Sequence, residues 1–277
     1  MTIMQSFFTK LNKSIDMNNS LLCVGLDPVS AQLPEHLKNV REPFFEFNKA
    51  IIDATSDVVC AYKPNSAFYE ALGPSGLKQL QKTVEYINSS YPSIPVILDA
   101  KRADIGSTNK GYVWYAFEYL GVDAITLHPY LGGEALGPFL ELSEKGMIIL
   151  CRTSNPGASE FQDLVVEGKP FYEHIAQTVA EKWNTHNNCL LVVGATYPDE
   201  MKKIRKIVGD DMVFLVPGIG AQGGDIAATM KSGLGRNKRG LIISSSRDII
   251  CASQGEDFAD AARARALHTR QQINAHR

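Results

Sequence analysis

The segment Asp99-Ala100-Lys101-Arg102-Ala103-Asp104-Ile105-Gly106-Ser107-Thr108 sets two carboxylates around an ammonium group. Asp99 and Lys101 stand two apart at the end of an apolar run, so the two-residue period of a strand turns both side chains to one face. Asp104 falls past that run, in a loop. Lys63 closes an earlier apolar run. Should these ends converge, one mouth would hold Lys63, Asp99, Lys101 and Asp104. Such charges are costly to desolvate singly. An alternating array keeps each ionised, since opposite charges about 4 Å apart gain roughly 4 kcal/mol at an effective dielectric of 20. A surface salt-bridge cluster has the same letters, but four charges at converging strand ends favour a site whose ionisable groups do chemistry.

A second signal is Pro217-Gly218-Ile219-Gly220-Ala221-Gln222-Gly223-Gly224-Asp225, followed by Ser244-Ser245-Ser246-Arg247. Gly218 to Gly223 fits GxGxxG, the letters of a dinucleotide fingerprint. It lies near the end of the chain, without the first βαβ unit or the later acidic residue that fingerprint needs. Loops after the last two strands of a barrel are a common phosphate site instead, with Gly-rich amides and a helix N-terminus facing the anion. Arg247 can grip such a group bidentately.

These residues need elements to position them. Eight apolar, β-rich runs recur: 21–27, 58–64, 95–101, 122–129, 146–153, 190–196, 212–220 and 240–247. They are continuous rather than alternating, as expected of parallel strands buried on both faces. Helical patterns lie between them, among them 41–55, 75–90 and 171–185. The expectation is an α/β fold, a single (β/α)8 TIM barrel over 1–277 with a short helical lead-in and a C-terminal helix. Most runs end in a polar residue: Asp27, Lys63, Asp99 with Lys101, His128, Thr153 with Ser154, Gln222 just past the seventh, and Arg247. In such a barrel all these ends meet at the face that carries the active site.

Composition sets outer bounds. The 277 residues hold 28 Lys and Arg against 30 Asp and Glu, with 44% hydrophobic side chains, as in an ordinary globular chain. A formal charge of -2 provides no field to hold a polyanion, so no nucleic-acid partner is expected. No run approaches a membrane span and the opening residues lack a signal peptide's apolar core. Five dispersed cysteines, an odd number, read as reduced thiols. A cytoplasmic location follows as the expectation.

Taken together, these motifs resemble the orotidine 5'-phosphate decarboxylases. The family's DxKxxD pattern stands as Asp99, Lys101 and Asp104, with Ile105 and Thr108 following. The strand-two lysine is Lys63 in Lys63-Pro64-Asn65-Ser66-Ala67-Phe68, and the strand-one aspartate is Asp27 in Gly25-Leu26-Asp27-Pro28. Ser154-Asn155-Pro156-Gly157 matches the strand-five element, and Gln222 and Arg247 the phosphate elements. The KPNSAF context and the length look like the longer bacterial branch, not the form fused to a phosphoribosyltransferase.

The resemblance implies decarboxylation of orotidine 5'-monophosphate to UMP without cofactor or metal. Lys101 would stabilise and protonate the C6 carbanion, with Asp99 beside the departing carboxylate and Lys63 and Asp104 holding the array. Asp27 and Lys63 would bind ribose hydroxyls, and Ser154 the pyrimidine edge. Pro217, Gln222 and Arg247 would take the phosphate. Asp104, Ile105 and Thr108 would reach into a partner's site across a two-fold interface, making a homodimer.

Two other readings stand beside it. Sugar-phosphate decarboxylases and aldolases share the barrel and motif but hold an enediolate on Mg2+, and they need a carboxylate where this chain has Lys63. A catalytically dead nucleotide-binding or RNA-binding protein is the other, for which Arg236-Asn237-Lys238-Arg239 is the only lure; before the eighth run it reads as a solvated turn at the opposite face. His128 lines the floor of the site or orders a loop. Tyr112, Trp114 and Tyr115 serve packing or the dimer face. Histidines 174, 186, 268 and 276 face solvent, the strand cysteines are small buried residues, and 161–170 has the composition of a mobile lid.

Overall fold

The computed structural model describes residues 6–220 and 223–277. All eight runs form parallel strands: β1 (Leu22–Gly25), β2 (Ala61–Lys63), β3 (Ile97–Arg102), β4 (Ala124–Leu127), β5 (Gly146–Arg152), β6 (Cys189–Val193), β7 (Phe214–Val216) and β8 (Leu241–Ser245). They pair in the order β2-β1-β8-β7-β6-β5-β4-β3. The remaining seam, β2 to β3, closes with Tyr62 N donating to Pro95 O at 3.0 Å and Asp99 N to Pro64 O at 2.9 Å. The last of these seam bonds therefore holds Asp99, the residue on which the charge array depends. Every residue of β1, β2, β4, β6, β7 and β8 is buried, which is why these strands read as continuous apolar runs.

Except for β3, the strands end earlier than the apolar runs suggest, so most of the polar terminal residues stand in the first turn beyond the ladder. Helices cover the outer face, including Pro43–Thr55, Gly73–Ser90, Pro198–Val208 and Ile226–Gly233. The helix expected over 171–185 runs as Phe171–Thr178 and continues in a wider π-type turn, Val179–Trp183.

The lead-in helix Phe7–Asn18 starts where Ser6 Oγ accepts from Thr9 N at 3.3 Å and ends at Asn19 in the left-handed region, φ 44°. Its Phe7 ring occupies the place of a side chain at the start of β5, where a Cβ on Gly146 would lie 2.7 Å from the ring. Lys10 Nζ bonds Asp123 Oδ2 at 2.8 Å just ahead of β4. The helix thereby stoppers the amino-terminal end of the barrel and leaves the opposite end open. The helix Phe258–Ala275 packs along Pro43–Thr55, with Phe258 stacked on Phe47 at 5.3 Å between ring centres. No described helix is long and apolar enough to cross a membrane.

One expectation changes and two segments gain detail. Residues 161–170, with the composition of a lid, contain a short hairpin, Val165–Val166 against Lys169–Pro170, turning through Glu167 and Gly168 at positive φ. His174, expected in solvent, is half-buried because its Nε2 meets Val166 O at 2.7 Å and holds that hairpin. The basic turn at 236–239 is largely exposed, as expected, and its arginines pair on the surface within the chain, Arg236 with Asp211 and Arg239 with Asp16.

Candidate active site

The carboxyl ends of the strands surround a cavity of about 650 Å³, within the roughly 300–1,000 Å³ usual for a small-molecule site. Asp27, Lys63, Asp99, Lys101, Ser154, Pro217 and Arg247 all line it. Gln222 lies outside the described residues.

Asp99 is the centre of the charge array. Its Oδ2 accepts from Lys63 Nζ at 3.1 Å and Asn65 Nδ2 at 3.2 Å; its Oδ1 accepts from Lys101 Nζ at 2.6 Å and Thr126 Oγ1 at 2.9 Å. The Lys63 and Asp99 side chains are only 8% and 12% exposed, whereas that of Lys101 is 48% exposed and faces the open cavity. Burial by itself would raise the Asp99 pKa, but Lys63, Lys101 and the hydrogen bonds outweigh it and hold the carboxyl far below the usual range. Burial would likewise lower that of Lys63, yet Asp99 and Asp27 together hold it above the ordinary lysine value. Asp99 and Lys63 are therefore both ionised at neutral pH. Cys23, behind Lys63, is the opposite case: burial pushes its thiol up to about 12, so it is inert packing.

Lys101 reaches its place by a route that simple alternation does not describe. Between Leu98 and Arg102 the β3 ladder is interrupted: these two pair with Ile125 and Leu127, so three residues of β3, 99–101, stand opposite one of β4, Thr126. Inside this bulge Lys101 has φ 48°, a left-handed conformation that costs a non-glycine residue about 1–3 kcal/mol. Thr126 Oγ1 takes the freed Lys101 amide at 2.9 Å while donating to Asp99. One buried hydroxyl thus fastens both the strained backbone and the carboxylate.

Asp104 departs from the expected four-charge array. Its loop is tied down by buried Asn109, whose Oδ1 accepts from Asp104 N at 2.8 Å and whose Nδ2 donates to Asp104 O and Ala135 O. The Asp104 carboxylate caps Ile105 N at 2.7 Å, and Asp104, Ile105 and Thr108 all lie off the lining of this chain's own cavity. The second carboxylate at the mouth is Asp27, with Oδ1 bonded to Asn65 N at 3.0 Å and Oδ2 to Ser246 Oγ at 2.6 Å. Local balance comes from strand one rather than from the motif loop.

On the β5 side, buried Arg152 donates to Asp163 Oδ2 at 3.0 Å and to Thr153 O at 3.0 Å, and its guanidinium lies 3.8 Å from the Tyr197 ring centre. This clamps the segment carrying Ser154 and Gln162 over the cavity edge. Gly194 leaves room for it, since a Cβ there would come within 2.8 Å of the Ser154 backbone. On the opposite side, Pro217, Gly218 and Ile219 form the wall, with Gly218 at φ 102°. The expected helix N-terminus is already filled: Asp225 Oδ1 caps Ile226–Gly233 by accepting from Ala227 N and Ala228 N at 2.7 and 3.2 Å. Among the described residues the cationic group on that side is Arg247.

His128 does not line the cavity; Thr126, two residues earlier on β4 and so on the same face, takes the place expected of it. Asn65, Thr126, Asn109, Gln162 and Ser246 escaped the sequence reading. Asn65 and Ser246 stand inside quoted motifs beside Lys63 and Arg247, which was their one signal.

Comparison with known proteins agrees with this geometry. Residues 20–262 match the family model described as Orotidine 5'-phosphate decarboxylase / HUMPS family. The orotidine 5'-phosphate decarboxylase of Cellvibrio japonicus is 55% identical over 98% of this chain and 99% of its own length. Among solved structures, the OMP decarboxylase of Leishmania donovani is 35% identical, covers 98% of both chains and superposes with a TM-score of 0.84. The UMP synthase of the same organism reaches 0.88 at 37% identity, and this chain spans 56% of its length. The family match over most of the chain, with this degree of identity, places the chain in the orotidine 5'-phosphate decarboxylase / HUMPS family.

Proposed function

We propose that this chain converts orotidine 5'-monophosphate to UMP and CO2, the closing step of UMP synthesis, as one barrel domain that works in the cytoplasm as a homodimer. The observation that carries the reading is the ionised Lys63–Asp99–Lys101 array, buried on one side and open to the cavity at Lys101. Loss of CO2 from C6 of the pyrimidine leaves a pair of electrons with little delocalisation, so a site must meet negative charge at one carbon and deliver a proton there. Lys101 does both: its ammonium group is pre-oriented by Asp99, and it stabilises charge where it develops before acting as the acid. Asp99 stands beside the substrate carboxylate and repels it until CO2 departs. Lys63 keeps Asp99 ionised and, with Asp27, binds the ribose hydroxyls. Ser154 reads the pyrimidine edge, and Pro217, Gln222 and Arg247 hold the phosphate, whose binding energy serves to position the distant reacting ring.

Asp104, Ile105 and Thr108 complete a partner's site. Two observations support this: all three lie off their own cavity, and Ile105 is 60% exposed in company with Trp114, Tyr130 and Leu131 on the two adjacent connections after β3 and β4. Exposed apolar residues grouped in this way suit an interface. A Mg2+-dependent sugar-phosphate reading of the same barrel needs an oxygen ligand at the end of β2. Lys63, ionised and paired with Asp99, offers no lone pair there.

The test is the fall in absorbance as orotidine 5'-monophosphate is consumed, with EDTA present, by wild type and by Lys101→Ala. Conversion by the first and not the second is expected; no conversion by the metal-free wild type overturns the reading.

A further inference from the structure

We infer that Arg265, on the C-terminal helix, is a positioning residue for the phosphate side of the cavity and acts through Asp248; this rests on the reading of Arg247 as a phosphate ligand. Asp248 follows Arg247 directly and lines the same cavity. Its two oxygens accept from Arg265 Nε and Nη2, both at 2.8 Å, fork against fork. The Asp248 side chain also packs beneath the glycine-rich loop: a Cβ on Gly220 would sit 3.0 Å from Asp248 Cβ and 3.2 Å from its Oδ2. One carboxylate therefore touches both segments assigned to the phosphate and is anchored to a third element that the assigned chemistry leaves idle.

The pair is 44% and 26% exposed, too open to matter much for folding. Its effect is on charge and direction. Unpaired, a carboxylate next to Arg247 competes with a dianionic phosphate for that guanidinium and repels the phosphate itself. Arg265 neutralises it and turns both oxygens toward the C-terminal helix, leaving Arg247 for the ligand. The same fork sets the position of the turn on which Arg247 is carried and of the floor under Gly220.

The experiment measures KM and kcat for orotidine 5'-monophosphate, and the Kd of UMP by calorimetry, for wild type, Arg265→Ala, Asp248→Asn, their double variant and Arg247→Ala. Arg265→Ala is expected to raise KM and the UMP Kd about tenfold with kcat changed by less than about twofold. In the Asp248→Asn background the same substitution should have no effect, because the charge it compensates is gone. Arg265→Lys, which keeps the charge without the fork, should recover part of the loss. An Arg265→Ala variant with wild-type KM, one whose loss falls on kcat, or one whose penalty persists undiminished without the Asp248 charge overturns the inference. A rise in KM for Arg247→Ala with none for Arg265→Ala overturns it alone; no rise in either overturns the phosphate reading as well.

Discussion

Replacing Asp99 by Asn keeps the size of the side chain and removes the one charge that both lysines face. In the native site its oxygens lie 3.1 Å from Lys63 Nζ and 2.6 Å from Lys101 Nζ, contacts worth roughly 5–6 kcal/mol each at an effective dielectric of 20 before desolvation is subtracted. Lys101 is half in solvent and its share is strongly screened, but Lys63 is not. Its ammonium group is left buried with only Asp27 for charge compensation. Breaking a buried pair in this way costs about 3–5 kcal/mol, which for a chain of this size lowers the melting temperature by roughly 6–15 °C. Guanidinium unfolding of wild type and Asp99→Asn at pH 7 measures the difference. The pH dependence supplies a second check. The Asp99 carboxyl titrates in the folded chain below its ordinary value of 3.8, so its contribution is complete above that value and is lost as the pH falls toward the depressed one. The gap between wild type and variant should therefore be constant from pH 5 to 7 and narrow below 3.8. A loss under about 1 kcal/mol at pH 7, unchanged on acidification, would refute the claim that the array is ionised and held by Asp99.

Three further outcomes follow from the site. Lys101→Ala and Asp104→Ala, each inactive alone, should regain about a quarter of wild-type activity when dimers are dissociated and re-formed together, since half the dimers then contain one intact site of two; no recovery argues against shared sites. Thr126→Val removes the hydroxyl that holds the Lys101 amide and Asp99, and should lower kcat roughly 10–100-fold with little change in KM; steady-state kinetics showing an unchanged kcat would remove Thr126 from the positioning scheme. Gly25→Ala drives a Cβ to 2.6 Å from Ser246 Cβ and 3.0 Å from Asp27 Oδ2, so it should raise KM by displacing the Asp27 carboxylate while the fold, followed by circular dichroism, persists.

Much of this protein is legible in one dimension. A strand buried on both faces must be apolar throughout, so each barrel strand announces itself as an uninterrupted run, and the polar residue that ends it marks the open face. The order of the runs, with a helical stretch after nearly every one, leaves few arrangements besides a closed parallel barrel. Asp27, Lys63, Asp99, Lys101, Ser154 and Arg247 could be gathered at its mouth on that argument alone. The eventual partners of those residues could not. Hydrogen bonding between side chains depends on positions fixed to within fractions of an ångström by the closing seam of β2 and β3 and by the bulge at Lys101, and no spacing rule encodes either. Asp104 exchanged places with Asp27 because Asn109 anchors its loop away from the cavity. The helix at Ile226 offers no anion site because Asp225 caps it. The sequence by itself determined the eight strands, the face on which chemistry occurs and the kinds of charge collected there; the tertiary structure alone decided that Lys63 meets Asp99 and that Asp27 stands in the place expected of Asp104, because those arrangements join residues dozens of positions apart through a barrel that exists only when every strand is in place.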